Sequence, residues 1–190
     1  MFSNVLQLLD KKFSTLILLS GTIIMIFIMV MTGKILTTRE TPCGILHLEL
    51  ASTKHQVQLV VASWKKKSSI NNDIVVAAKI NTWFDFAFLF FYSLLLFTFC
   101  SSLSRLVVNK LMSSVLSFFA TVALIAGGFD IVENIAMLLS LSGIVTQSIT
   151  LITFLVSIIK WVLVLGVVAS LLIGVVVFFF SRNRKDKRYK

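Results

Sequence analysis

Charged residues are scarce in this chain of 190 residues. They make up 14% of it, whereas hydrophobic residues make up 57%, and the mean hydropathy is +0.97. A soluble globular chain of this length does not normally reach such values. The composition therefore excludes an ordinary soluble domain and indicates that lipid surrounds most of the chain.

Cysteine and the usual catalytic signatures are also lacking. Of the two cysteines, Cys43 lies in a polar loop and Cys100 in a hydrophobic run, so the sequence contains no disulfide framework and leaves the redox compartment open. His47 and His55 are too far apart along the chain to form a metal-binding pair on one helical face. No nucleophile elbow, phosphate loop or zinc signature is present. We therefore predict no catalytic residue, no metal site and no cofactor.

Long hydrophobic runs dominate what remains. They cover residues 13–32, 81–104, 111–139 and about 144–180, with the fourth span itself placed at 150–180. About 20 apolar residues cross a hydrocarbon core of roughly 30 Å. The sequence thus predicts an all-α integral membrane four-helix bundle, formed as a single domain over residues 1–190. The fourth run is too long for a perpendicular span, so it must tilt or begin outside the hydrocarbon.

Two further features of the sequence concern the first span and the start of the second helix. No Ala-x-Ala-like cleavage site follows the first run, so we interpret it as a retained span and not as a signal peptide. Residues 34–80 form the first outer loop, and Asn72 or Asp73 is available as the N-cap of a second helix that is longer than its span.

The net charge of +10 comes from basic residues whose positions indicate how the chain is oriented in the membrane. Basic residues at Lys11, Lys12, Arg105 and Lys110 and in the tail 181–190 all fall on one side of a four-span chain. The positive-inside rule makes that side cytoplasmic. The long outer loop also carries basic residues, but a long loop has less weight in that rule. We predict an integral membrane protein with both termini cytoplasmic, surrounded by lipid and without a nucleic-acid partner.

The outer loop contains an amphipathic segment. Its apolar residues fall near one helical stripe, which predicts a helix that lies on the membrane or caps the bundle. The start of the segment also alternates like a strand, and the simplest interpretation is a lid over hydrophobic helix ends. The stripe consists of Leu46, Leu50, Val57, Val60, Val61 and Trp64.

Four ionisable residues lie inside the predicted spans, where each costs about 2.5 to 3.5 kcal/mol on insertion scales. In an antiparallel arrangement Asp85, Asp130 and Glu133 share one level, and Lys160 reaches that level if the fourth helix tilts or protrudes. Helical spacing adds further polar residues to the same faces. The predicted polar cluster comprises Asp85, Tyr92, Asp130, Glu133, Asn134 and Lys160, with Glu49 of the loop closing it.

The fourth helix carries a stripe of polar residues on one face. Two interpretations of this stripe and of the rest of the cluster stay open. In the first, Lys160 neutralises one or two acids, the hydroxyl groups bond across helices, and the cluster fixes helix register. In the second, the cluster is a binding or proton-handling site. The stripe consists of Thr146, Thr150, Thr153, Ser157 and Lys160.

Three segments resemble those of uncharacterised bacterial four-span membrane proteins. A Leu-Glu-Leu-Ala run at 48–51 is followed by Trp64, an Asp-Phe-x-Phe-x-x-x-Tyr run occupies 85–92, and a Gly-x-x-Asp-x-x-Glu-Asn run occupies 127–134. The resemblance covers most of the chain after the first span. It implies a four-span architecture, and no activity comes with it.

Three classes of function follow from these observations. The favoured class is an accessory or scaffolding subunit that packs against a partner membrane protein, because the chain is small and lacks catalytic signatures. The alternative is a binder or carrier of a lipid, an ion or a small polar solute at the charged cluster. The least favoured is an intramembrane enzyme that uses an acid pair as general acid and base.

Overall fold

The computed structural model describes the backbone of residues 2–68 and 73–186 and the side chains of residues 12–68 and 73–181. Within these ranges the regular structure is helical, with a 3-10 turn at Lys34–Leu36. The helices are α1 Phe2–Gly33, α2 Leu46–Glu49, α3 Lys54–Lys67, α4 Ile74–Leu106, α5 Lys110–Leu141 and α6 Gln147–Asp186.

Four helices are long and apolar enough to cross a membrane. These segments are Lys12–Leu36, Ile74–Leu106, Lys110–Leu141 and Gln147–Ser181. The predicted all-α, four-helix membrane bundle is thereby confirmed. We call the two ends of the bundle the loop side, where residues 34–68 lie, and the tail side, where α6 ends.

Helix bounds extend beyond the hydrophobic runs. α4 begins at Ile74 because the Asp73 carboxylate accepts hydrogen bonds from the backbone N–H groups of Val75 and Val76. Asn72, the other candidate cap, lies outside the described residues, as do the last four residues of the basic tail. α6 has 40 residues, or about 60 Å at the helical rise, so it is longer than a bilayer is thick.

The long helices pack in the order α1, α4, α5, α6. α4 lies between α1 and α5, and α6 packs chiefly on α5 and less on α4. Small residues allow the close approaches: a Cβ at Gly127 would meet the Ser93 side chain at 2.9 Å, and one at Gly21 would collide with the Phe91 ring. Because α1 packs mainly on α4, α1 and α6 border a gap on one side of the bundle.

The loop side carries a folded cap with its own core. Trp64 of α3 is fully buried, and its indole N–H donates to the Leu36 carbonyl at 3.1 Å and to Thr41 Oγ1 at 3.0 Å. The apolar face of α3 packs against the loop-side ends of α4 and α5. The core consists of Leu36, Leu48, Ala51, Val57, Val60, Trp64, Ile74, Val75, Ala78, Met137 and Leu141.

The single amphipathic helix predicted in this loop is in fact two helices. Thr53 N-caps α3 and forms a capping box with Gln56, so a new helix begins there and the earlier helical phase is lost. As a result, Leu46 and Leu50 are 36% and 49% exposed and do not share the buried face. The part of the stripe that is buried lies in α3.

Candidate functional site

Lys160 is the only described cation buried inside the bundle. Its Nζ lies 3.0 Å from Asp130 Oδ1 and 2.8 Å from Glu133 Oε2. The two acids are three residues apart on α5, so they project from one face and both reach the same ammonium group. Nζ also lies 5.4 Å from the centroid of the Trp161 ring. Lys160 is therefore shared between two carboxylates.

Two further hydrogen bonds join α4 to the same face of α5. The Tyr92 hydroxyl donates to Asp130 Oδ2 at 2.8 Å, and Asn134 Nδ2 donates to Asp85 Oδ2 at 2.8 Å. Asp130, Glu133 and Asn134 are each at most 2% exposed. The structure thus brings all six span residues of the predicted cluster together.

These residues share one depth. Asp85 lies eleven residues from the loop-side end of α4, and Asp130 lies eleven residues from the loop-side end of α5. At the helical rise both distances are about 16 Å. Lys160 lies thirteen residues, or about 20 Å, from the start of α6. α6 therefore begins further out on the loop side than its neighbours.

Glu49 enters the cluster from the loop. It is only 7% exposed, and its backbone carbonyl accepts a hydrogen bond from Ser157 Oγ of α6 at 3.4 Å. Burial raises the pKa of the Glu49 carboxyl above its ordinary value of 4.5. Lys160 and a hydrogen bond with Glu133 oppose that rise, whereas the negative charges of Asp85 and Asp130 add to it. The loop thus places a fourth carboxyl group beside the three from the spans.

The cluster is short of hydrogen-bond donors. Buried oxygens without a hydrogen-bond partner in the described structure include Glu49 Oε2, Glu133 Oε1 and Asn134 Oδ1. Glu133 Oε2 also lacks a hydrogen bond of normal geometry, but Lys160 Nζ faces it at 2.8 Å. The Glu49 and Glu133 carboxyls are neighbours and hydrogen-bond to each other when one of them is protonated, so the two lack a mutual donor only while both are ionised. Each unpartnered buried acceptor costs about 1 to 3 kcal/mol.

A cavity of about 230 Å³ lies beside the cluster, and of Glu49, Glu133 and Asn134 only Glu49 belongs to its wall. This volume is several times the approximately 30 Å³ that a water molecule occupies in the liquid. We call it the charged cavity. All four long helices and the loop contribute to its wall, which consists of Met29, Ile45, Glu49, Asn81, Thr82, Asp85, Phe88, Tyr92, Asp130, Met137, Lys160, Trp161 and Val164.

The sequence predicted interhelical hydrogen bonds for the hydroxyl stripe of α6, but its hydroxyl groups bond mainly within α6. Thr150 and Thr153 are buried, but their hydroxyls donate to the carbonyls of Thr146 and Ile149 in the same helix. Ser157 donates to the Thr153 carbonyl and also reaches the loop at Glu49. Hydroxyl groups in membrane helices can satisfy themselves in this way, so the stripe contributes little to register.

Sequence reasoning did not single out Asn81 as a site residue. Its side-chain N–H donates to the Met29 carbonyl at 3.1 Å and to Thr32 Oγ1 at 2.6 Å, which ties α1 to α4 at the cavity wall. The signal was an amide side chain in an apolar helix, which usually marks an interhelical contact.

Comparison of the chain with protein-family models, curated proteins and solved structures found no match. The chemistry must therefore be argued from the site. In the described ranges, no three His, Cys, Asp or Glu side chains are placed to hold a metal ion. His47 accepts a hydrogen bond from the Cys43 backbone N–H, away from the cluster. What the charged cavity offers is three carboxyl groups and one ammonium group, Lys160, in a largely apolar wall.

Proposed function

We propose that this small multi-pass membrane protein binds a polar ligand inside the bilayer, in the charged cavity. The observation that carries the proposal is Glu49, a buried loop carboxyl on the cavity wall that has no cation within ion-pair distance in the described structure. Ionisable groups within membrane proteins usually mark ligand or ion pathways, because a purely structural role does not repay their cost. A pocket with a few convergent polar groups is the usual form of a small-molecule site.

A role limited to helix register explains only part of the cluster. Lys160 with Asp130 and Glu133 forms a pair that could serve that purpose. Glu49 adds a buried carboxyl and Asp85 a partly buried one, and neither has a cation within ion-pair distance in the described structure. Further burial of negative charge destabilises a bundle unless something compensates for it. A ligand in the charged cavity supplies that compensation.

Native mass spectrometry of the protein from its own membrane tests this proposal. Val164 borders the cavity, so Val164→Trp should fill it without changing any charge. Val162 is 63% exposed on the same helix, and Val162→Trp is the matched control. We expect a retained small molecule on the wild type and on Val162→Trp, and its loss from Val164→Trp. Equal retention by both variants, or no retained molecule on any of them, would count against a ligand site in the cavity.

The second candidate is the accessory subunit that the sequence favoured. It draws support from α1, which packs mainly on α4 and leaves large side chains such as Phe13 and Phe27 exposed by 66% and 63%. Lipid covers such a face as well as a protein does. In the same experiment, a protein partner at fixed stoichiometry, lost on Phe27→Ala, would establish this role.

The location and orientation remain proposals as well. We place the chain with the bacterial four-span proteins it resembles, in the inner membrane, with the loop side outward and both termini cytoplasmic. Cys43 is exposed in the loop and Cys100 is buried, so Cys43 is the labelling site and Cys100 is the internal control. A membrane-impermeant maleimide should label Cys43 in spheroplasts. Labelling only after lysis would reverse the orientation.

A further inference from the structure

The unpartnered atoms of the cluster define what kind of group is missing. Glu49 Oε2, Glu133 Oε1 and Asn134 Oδ1 are acceptors, and of these residues Glu49 lies on the cavity wall, where the Asp85 carboxyl adds further acceptor oxygens. A ligand that brought only acceptors, such as a phosphate or a carboxylate, would deepen the deficit. The complementary ligand carries N–H or O–H donors.

The charges on the cavity wall further restrict the class of ligand. Lys160 lies on the cavity wall but already forms ion pairs with Asp130 and Glu133, at 3.0 Å and 2.8 Å. The two other carboxyls at the cavity wall, Glu49 and Asp85, have no ammonium or guanidinium partner within ion-pair distance in the part of the chain that the structure describes. An anionic ligand would have to displace an acid from Lys160. A cationic ligand needs no such rearrangement.

The wall of the cavity fits an organic cation better than a metal ion. The described carboxyls are not grouped to hold a metal, and about 230 Å³ is far more space than a bare ion needs. Phe88, Tyr92 and Trp161 supply aromatic rings. Aromatic faces attract ammonium groups, and more strongly when water is excluded.

The position of the cavity indicates an apolar portion on the ligand. Met29 of α1 and Val164 of α6 lie on its wall, although these two helices do not pack closely on each other. Trp161 belongs to the same wall and is 45% exposed on the outer surface of α6. The gap between α1 and α6 therefore leads from the carboxyls towards the lipid-facing surface.

We infer that the charged cavity takes an amphiphilic organic ammonium. Its head group lies between Glu49 and Asp85, where it donates hydrogen bonds to the carboxyl oxygens. Its apolar portion lies between α1 and α6. This inference rests on the proposed function, whose ligand class it specifies.

Three probes of equal chain length test the class: octylammonium, octanol and octyl sulfate. Each is titrated calorimetrically into the full-length protein in nanodiscs of zwitterionic phospholipid, with protein-free nanodiscs subtracted for partition. We expect saturable, stoichiometric binding of octylammonium alone. Glu49→Gln and Asp85→Asn should each weaken it at least tenfold. Glu40→Gln is the matched control, because it removes a carboxylate from the same loop at an exposed position, and its binding should stay within twofold of wild type.

Each alternative outcome overturns the inference in a recognisable way. Octanol or octyl sulfate binding as tightly as octylammonium would refute the cationic class while leaving a ligand site in place. Saturable octylammonium binding that Glu49→Gln and Asp85→Asn leave unchanged would place the ammonium elsewhere. Absence of saturable binding for all three probes would also refute the class, whereas the proposed function would still be judged by the molecule retained in native mass spectrometry. Monodisperse elution of each variant establishes that it is folded.

Discussion

At the scale of single residues, the shared position of Lys160 makes its loss more damaging than the loss of either acid. Lys160→Met leaves Asp130 and Glu133 buried without a cation, and breaking a buried pair in this way costs about 3 to 5 kcal/mol. Glu133→Gln should cost less, because Lys160 keeps Asp130 at 3.0 Å. Chemical unfolding in detergent measures both variants. A Glu133→Gln variant as unstable as Lys160→Met would show that Asp130 does not hold the lysine.

A second residue-scale prediction concerns pH and Glu49. Its neighbours are Lys160 on α6, Asp85 on α4, and Asp130 and Glu133 on α5. Because burial raises the pKa of Glu49 in the folded state, its contribution to stability is complete below about 4.5 and is lost as pH rises through the folded value.

The wild type should therefore lose stability more steeply with rising pH than Glu49→Gln does. The free energy of unfolding, followed from pH 4 upward in steps of about one unit, gives the two slopes. Glu40→Gln is the control, since its carboxyl is exposed and a backbone hydrogen bond lowers its pKa, the opposite direction from Glu49. Parallel slopes for wild type and Glu49→Gln would contradict the prediction.

Sequence reasoning reached the span residues of the cluster and named Glu49 as the loop residue that closes it, but not the contacts that Glu49 makes there. The spacing of Asp130, Glu133 and Asn134 fixes their common face on any α-helix, so that grouping can be derived from the chain alone. The approach of Glu49 depends on how the cap folds over the bundle, which periodicity does not encode. The unpartnered state of Glu49 Oε2 belongs to the tertiary structure.

At the scale of elements, two adjacent glycines of α5 should respond differently to the same change. A Cβ at Gly127 would lie 2.9 Å from Ser93 Cβ of α4, whereas one at Gly128 would meet nothing within 4 Å. Gly127→Ala must therefore push α4 and α5 apart or shift Ser93. Gly128→Ala should be neutral or stabilise by up to about 1 kcal/mol, because glycine is a poor helix former.

Thermal unfolding of the two alanine variants in one detergent measures this difference. We expect a lower midpoint for Gly127→Ala and an unchanged or higher one for Gly128→Ala. Equal midpoints would mean that the contact between α4 and α5 is looser than the structure has it.

The cap offers a prediction at the break between α2 and α3. Thr53→Ala removes the side-chain acceptor of the capping box, which should cost about 1 kcal/mol and loosen α3. Gln56→Ala removes the reciprocal half and serves as the comparison. Hydrogen exchange of the first turn of α3 reports the change locally. Unaltered protection in Thr53→Ala would show that packing of Trp64 alone holds the helix.

The same break explains why the loop prediction was wrong in part. Apolar residues from Leu46 to Trp64 fit one stripe only if the helix is continuous. Thr53 with Gln56 three residues later is a capping signature that the sequence does contain. If this capping signature had been given more weight, the segment would have been divided correctly into two helices. Which half would be buried still depended on the ends of α4 and α5, against which α3 packs.

At the scale of the whole molecule, composition was sufficient for the architecture. Four long apolar runs in a chain with 14% charged residues allow little besides a membrane helix bundle. The cavity could not be predicted from composition. It exists because α1 packs mainly on α4 and leaves a gap beside α6, and helix order in space is not set by hydropathy.

The most direct test of the account is a crystal structure of the protein purified from its own membrane, without added amines. We predict non-protein density in the charged cavity, within hydrogen-bonding distance of Glu49 Oε2 and the Asp85 carboxylate, continuing towards the gap between α1 and α6. A cavity closed by its own side chains, without non-protein density beside Glu49 and Asp85, would contradict the account and leave the cluster a structural one.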